Sequence, residues 1–134
     1  MQSTISLINQ YYSAFNHQDI DAFLNCLSDD VIHDINQGKQ QIGREAFSTF
    51  MNHMNHCYKE TVLDLVIMVN ETGDRAAAEF MIEGKYLMTD KGLPEAKGQY
   101  YKLPVGTFFS IKNNKISRVT TYYNLQDWIN QVNK

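Results

Sequence analysis

Residues 75–88, RAAAEFMIEGKYLM, decide the fold class. Ala78, Phe80, Ile82, Gly84 and Tyr86 share one parity, and Ala77, Glu79, Met81, Glu83 and Lys85 share the other. Successive strand side chains point to opposite faces, so this pattern predicts a long β-strand. On its N-terminal side, Glu71-Thr72-Gly73-Asp74 is a hairpin turn signal, and Thr61 to Asn70 before it is a strand rich in Val, Leu and Ile. On the other side, Thr89-Asp90-Lys91-Gly92 turns the chain into a third strand, Gly98 to Ile111. Pro104 and Gly106 interrupt that strand, and a proline inside a strand run predicts a bulge or an edge. Lys112-Asn113-Asn114-Lys115 is the next hairpin turn, Ile116 to Asn124 the fourth long strand, and Leu125 to Ile129 a short closing helix.

The first half reads as helix. Ile5, Ile8, Tyr11, Tyr12 and Phe15 recur at three- and four-residue spacing. Asp19 is the N-cap of a second, short helix carrying Ile20, Phe23, Leu24 and Leu27, which Ser28-Asp29-Asp30 ends in a turn. Val31 to Asn36 is a short strand-like run, and Gln37-Gly38-Lys39 turns the chain. After Gly43, the residues Ala46, Phe47, Phe50, Met51, Met54 and Cys57 mark a third helix. Helices segregated from an antiparallel meander give an α+β class, and a strongly curved sheet over helices encloses a cone-shaped cavity.

The chain has 134 residues, the length of one domain, with 43% hydrophobic and 20% charged residues, the balance of a soluble globular protein. A net charge of −3 argues against a nucleic-acid partner. Cys26 and Cys57 are too few for a disulfide framework. No apolar run reaches the length of a membrane span, and the start, MQSTISLINQYYSAF, lacks a basic leader region, so a cytoplasmic protein is expected.

Few residues are candidates for chemistry. Regular alternation puts Ile32, Asp34 and Asn36 on one face and Val31, His33 and Ile35 on the other. A carboxylate among apolar neighbours has its charged form disfavoured, which makes Asp34 a better proton acceptor; a plain hydrogen bond to a nearby turn is the competing role. Tyr11 and Tyr12 can donate to a developing oxyanion in a dry pocket, or serve only as core aromatics. Tyr101, Leu103 and Val105, with Phe108 beyond the expected bulge, and Thr121 and Tyr123 on the last strand, make an apolar wall with scattered hydroxyls, the usual lining of a small-molecule pocket, if the sheet curves around a cavity; a plain aromatic core is the competing role. His53 and Cys57 share a helix face, while His56 points away. No second cluster completes a four-ligand site, so no metal is expected. Nucleotide-binding and serine-hydrolase motifs are absent from the sequence.

The order of elements and several local motifs resemble the ketosteroid isomerase and SnoaL-like branch of the NTF2-like superfamily. The likeness runs through Tyr11-Tyr12-Ser13-Ala14-Phe15-Asn16, Asp19-Ile20-Asp21, Leu27-Ser28-Asp29-Asp30-Val31 and His33-Asp34, and again through Val119-Thr120-Thr121-Tyr122-Tyr123-Asn124 and Asp127-Trp128. It implies a single domain over residues 1–134. The implied fold is a cone with three N-terminal helices packed on a strongly curved antiparallel or mixed sheet that encloses a pocket.

The same resemblance implies an enzyme of isomerase, cyclase or lyase type with no cofactor, acting on a small apolar or carbonyl-containing molecule. It places the general base on Asp34 and the oxyanion donor on Tyr11. The substrate-binding positions are His33, Phe15, Tyr101, Phe108, Thr121 and Tyr123. Ketosteroid isomerase adds a protonated aspartic acid to its aspartate base and tyrosine; the matching position here is Gly106. Pairing as a homodimer through the outer sheet face is implied too, with no nucleic-acid or membrane partner. A non-catalytic binder of an apolar ligand and a protein-interaction module are the alternative functions of such a cone.

Overall fold

In a computed structural model that describes residues 1–134, four helices and six strands follow one another as α1 Gln2–His17, α2 Ile20–Asn25, β1 Leu27–Asp34, β2 Gln40–Ile42, α3 Arg44–Cys57, β3 Tyr58–Val69, β4 Arg75–Tyr86, β5 Tyr100–Lys112, β6 Lys115–Tyr123 and α4 Leu125–Val132. The strands form one sheet in the order β2-β1-β6-β5-β4-β3. All pairs are antiparallel except β1 with β6, which is parallel. The α+β class and the four-strand meander are as the sequence predicts.

Local chemistry accounts for the boundaries. The Asp19 side chain accepts from the Ala22 N–H at 3.1 Å and starts α2, while Gln18 before it is left-handed at φ 55. Asn124 caps α4 in the same way, accepting from the Asp127 N–H at 3.0 Å. Asn113 and Asn114 both take positive φ, 51 and 63, as a tight hairpin between β5 and β6 requires.

Three details differ from the sequence reading. Ser28-Asp29-Asp30 is not a turn but part of β1; the irregularity it signals is a register shift between Leu27 and Ile32. The three-residue β2 is an extra edge strand too short to show a pattern. Pro104 makes no bulge, because β5 pairs with β4 in unbroken register from Tyr100 to Ser110. The proline is tolerated because β6 stops opposite Val105, leaving the other edge of β5 open at Pro104. At that edge the Gln131 side chain bonds both the N–H and the carbonyl of Lys102, at 2.9 Å each.

The core lies on the concave face of the sheet. Tyr86, Tyr101, Phe23, Phe47, Phe109, Ile8 and Leu27 are its largest fully buried side chains. Burying such a side chain contributes on the order of 2 kcal/mol.

Candidate active site

Because partners across a strand pair share a face, the register sorts each strand residue to one side of the sheet. One row runs Met68, Ala77, Phe108, Thr120, Asp34, Gln40, and the next runs Val66, Glu79, Gly106, Tyr122. Met68, Phe108, Val66 and Tyr122 are 48%, 45%, 49% and 59% exposed, so these rows form the convex outer face. The residues between them, including His33, Val105, Thr107, Phe109 and Val119, face inward and are buried.

The inner face and helices α1, α3 and α4 enclose a cavity of about 260 Å³. Of its 27 lining residues 19 are hydrophobic, so any polar group on the wall is in an apolar setting. Tyr11, Phe15, His33, Thr121 and Tyr123 line it, bringing together five of the positions predicted from sequence.

Three predicted positions do not line it. Asp34 sits on the convex face, where its carboxylate accepts from the Thr120 hydroxyl at 2.6 Å and the Gln40 amide at 2.8 Å. Those bonds, with Arg118 and His33 nearby, hold its pKa below the ordinary carboxylate value. A base poised to take a proton needs the opposite shift. Phe108 is also convex, packed edge-on against Tyr122 at a ring separation of 5.9 Å. The expected bulge that would have turned it inward does not exist. Tyr101 is inward but lies behind the wall, 1% exposed, and contributes through a neighbour.

Gly106 belongs to the convex face too, and a Cβ built there meets nothing within 4 Å. The inward residues beside it are Val105 and Thr107, so the position matched to the isomerase's protonated aspartic acid does not face the cavity.

The neighbour of Tyr101 is Glu60, which sequence reading passed over. Its strand begins at Tyr58 rather than Thr61, and Tyr58, Glu60 and Val62 share the inward face. The Tyr101 hydroxyl donates to Glu60 Oε2 at 2.5 Å. Burial pushes the Glu60 carboxyl above its ordinary pKa, a rise that the Tyr101 bond opposes. The same environment raises Tyr101, through burial and then the Glu60 charge, so its hydroxyl remains a donor. Gly84 lies opposite Glu60 in the sheet. A Cβ on Gly84 would come within 2.6 Å of the Tyr101 hydroxyl and 3.0 Å of Glu60 Cγ, so the pair occupies space that glycine leaves free.

His33 stacks flat on Phe47, with ring centroids 4.0 Å apart and planes at 9°. Burial lowers its pKa to about 4, against the pull of Asp34, so the imidazole is neutral at pH 7. Tyr11 is packed against Phe23 and Phe109, and burial, reinforced by Tyr12 and Cys26, raises its pKa well above the ordinary value. The Tyr12 hydroxyl, His33 Nδ1 and Asn36 Nδ2 are buried without a hydrogen-bond partner in the protein, and all three residues line the cavity. Buried polar groups normally are paired, so this wall has bonding capacity to offer.

At the far end the cavity reaches Tyr58 and Asp90, whose side chains bond at 2.7 Å, and Trp128. Asp90 lies in the segment between β4 and β5. Its N–H donates to the Tyr86 hydroxyl at 2.9 Å, and that hydroxyl donates to the Pro94 carbonyl at 2.6 Å.

A curved sheet wrapped on helices around one apolar cavity is the architecture of the NTF2-like class. Within it, the chain belongs to the SnoaL-like family, whose domain profile matches residues 8–119. A protein of Pseudomonas putida KT2440, provisionally designated a polyketide cyclase, is 58% identical with a TM-score of 0.93 over 94% of this chain and 95% of that one. One of Silicibacter sp. TM1040 with the same designation is 52% identical, TM-score 0.96, over 98% of this chain and 96% of that one. An LEH-like epoxide hydrolase of M. tuberculosis shares the fold at 14% identity, with a TM-score of 0.79 over 98% of this chain and 90% of that one. No curated protein matches the sequence. No helix is long and apolar enough to cross a membrane.

Proposed function

We propose that the protein is a small-molecule enzyme that moves a proton next to a carbonyl group, as an isomerase, cyclase or lyase, with Glu60 as the base. The observation that carries this reading is the Glu60 carboxylate on a mostly apolar cavity wall, paired with the Tyr101 hydroxyl at 2.5 Å. Its raised pKa gives it more proton affinity than an exposed carboxylate, as general-base catalysis needs. Glu60 takes the proton from the carbon beside the carbonyl, the carbonyl oxygen gains the negative charge of the enolate, and the Tyr11 hydroxyl hydrogen-bonds that oxygen. In an isomerisation Glu60 then returns the proton to the product carbon. In an aldol-type cyclisation the enolate carbon attacks a second carbonyl and Glu60 gives the proton to the alkoxide so formed; a lyase runs that step in reverse. Each cycle closes without an external reagent. Tyr101 positions Glu60. The designation of the Pseudomonas and Silicibacter relatives as polyketide cyclases supports a carbonyl-rich substrate.

Ligand entry is testable before any turnover assay, because Trp128 is the single tryptophan and lines the cavity. Saturable quenching of its fluorescence by 2-tetralone, a compact apolar ketone, is the expected result, lost when Val105→Trp fills the cavity. In that variant the second tryptophan calls for equilibrium dialysis instead of fluorescence. No saturable binding to the unaltered protein overturns the reading.

A homodimer through the convex face belongs to the same reading. Val66, Met68, Phe108 and Tyr122 expose apolar surface side by side there. Light scattering should give twice the chain mass, and Phe108→Asp should return it to the monomer; a monomeric unaltered protein contradicts the pairing.

A further inference from the structure

His53, Cys57 and Asp90 bring one ligand atom each within 4.8 Å of the others. The sequence offers only the first two as a pair, four residues apart on α3; the fold brings the third in from the β4–β5 segment. His53 Nε2 is 2.9 Å from Asp90 Oδ1 and 3.8 Å from Cys57 Sγ.

One nitrogen faces both the sulfur and the carboxylate. A Cys–His–Asp relay for nucleophilic attack needs the two partners on different ring nitrogens, so that a proton can pass through the imidazole. A metal site needs the donors aimed at one common point. Tetrahedral zinc, with Zn–S of about 2.3 Å and Zn–N or Zn–O of about 2.1 Å, sets its donors about 3.3–3.6 Å apart. The observed 2.9 and 3.8 Å separations bracket that range.

The donors are also held in place. The free Asp90 oxygen accepts from the Tyr58 hydroxyl at 2.7 Å, the kind of outer bond that orients ligating carboxylates. The Cys57 carbonyl accepts from the N–H groups of Leu87 and Met88 at 2.7 and 3.2 Å, tying the end of α3 to the segment that carries Asp90. His53 is 51% exposed, which gives an ion a path from solvent.

We infer that His53, Cys57 and Asp90 form a binding site for a zinc-class divalent cation, with a fourth position left for water or a ligand oxygen. The mixed sulfur, nitrogen and oxygen set suits zinc or cobalt and not magnesium or calcium, which prefer oxygen alone. Asp90 is shared with the cavity wall, so a bound ion sits beside the cavity.

The test uses the whole protein, stripped with a chelator, and the metal alone. Calorimetric titration with Zn²⁺ should show one site per chain. Co²⁺ should produce a thiolate charge-transfer band in the near ultraviolet. Cys57→Ser should abolish that band, and His53→Gln, at a half-exposed position that does not endanger folding, should weaken Zn²⁺ binding by about 100-fold. Cys26→Ser should change nothing. The proposal is overturned if Zn²⁺ binds His53→Gln as it binds the unaltered protein, if the cobalt band is missing, or if the band survives in Cys57→Ser. None of these readouts depends on Glu60 or on turnover.

Discussion

The Tyr101 hydroxyl donates to Glu60 at 2.5 Å, and the two side chains meet in space that Gly84 leaves open on the neighbouring strand. The glycine is there for close approach and not for backbone freedom. Gly84→Ala puts a Cβ 2.7 Å from Tyr101 Cζ, and a ring fixed in a packed core cannot withdraw cheaply. Overpacking of this kind costs about 1–3 kcal/mol. Urea unfolding should show that loss, and an unchanged midpoint would mean that the ring moves freely.

Tyr101→Phe removes the one hydrogen bond that opposes the burial of Glu60. The Glu60 pKa, already raised, should rise further. A base works only when ionised, so the acidic limb of the pH–rate profile should move to higher pH. The fold should lose about 1–3 kcal/mol, the cost of an unpaired buried acceptor. A profile that stays in place while stability falls would reduce Tyr101 to a packing residue.

His33 makes stability depend on pH. The unfolded chain takes up a proton near pH 6.5, whereas the folded protein resists until about pH 4. The contribution is therefore full above pH 6.5 and is lost as pH falls toward 4, by roughly 3 kcal/mol in all. His33→Phe keeps the stacking on Phe47 and removes the titration. The stability difference between His33→Phe and the unaltered protein should shift by that amount across the window; a constant difference would show that the imidazole titrates normally.

Asp34→Asn tests the placement of the base. Its partners Thr120 and Gln40 are on the convex face, and its pKa is lowered, so the charge stabilises the fold above pH 3.8 and fades as pH falls below that value. The carboxylate is only partly buried on the convex face, which limits the loss in the variant to about 1 kcal/mol or less. Proton-exchange activity should stay within a few fold of that of the unaltered protein. Collapse of activity in a folded Asp34→Asn protein would return the base to Asp34.

The fold was legible because its signals are periodic. Alternation in β4, the Asn113-Asn114 turn and the Asp19 cap each have one physical meaning, and each is met. The site was less legible because a one-residue change in strand phase moves every side chain to the other face. The register shift inside β1 precedes His33 and Asp34, and sequence gives no direct sign of which of the two faces the cavity. An expected bulge at Pro104 sent Phe108 inward by the same mechanism. Glu60 is not legible because the Val-, Leu- and Ile-rich run begins at Thr61, whereas β3 begins at Tyr58 and carries Glu60 in the Tyr58–Val62 phase. Gly84 on an otherwise bulky inward row was the available clue, since a strand glycine marks close approach of a neighbour. Asp90 reaches His53 only through the folding of the β4–β5 segment, a contact 37 residues long that no local pattern announces.

The most direct test of Glu60 as the base is proton exchange at the carbon next to the carbonyl of 2-tetralone in deuterated water, followed by nuclear magnetic resonance. The unaltered protein should accelerate exchange above the buffer rate, and Glu60→Gln, which keeps the shape and a hydrogen-bond acceptor for Tyr101, should lower that acceleration by about 10²–10⁴-fold while ketone binding persists. Exchange by Glu60→Gln at the rate of the unaltered protein would contradict the account.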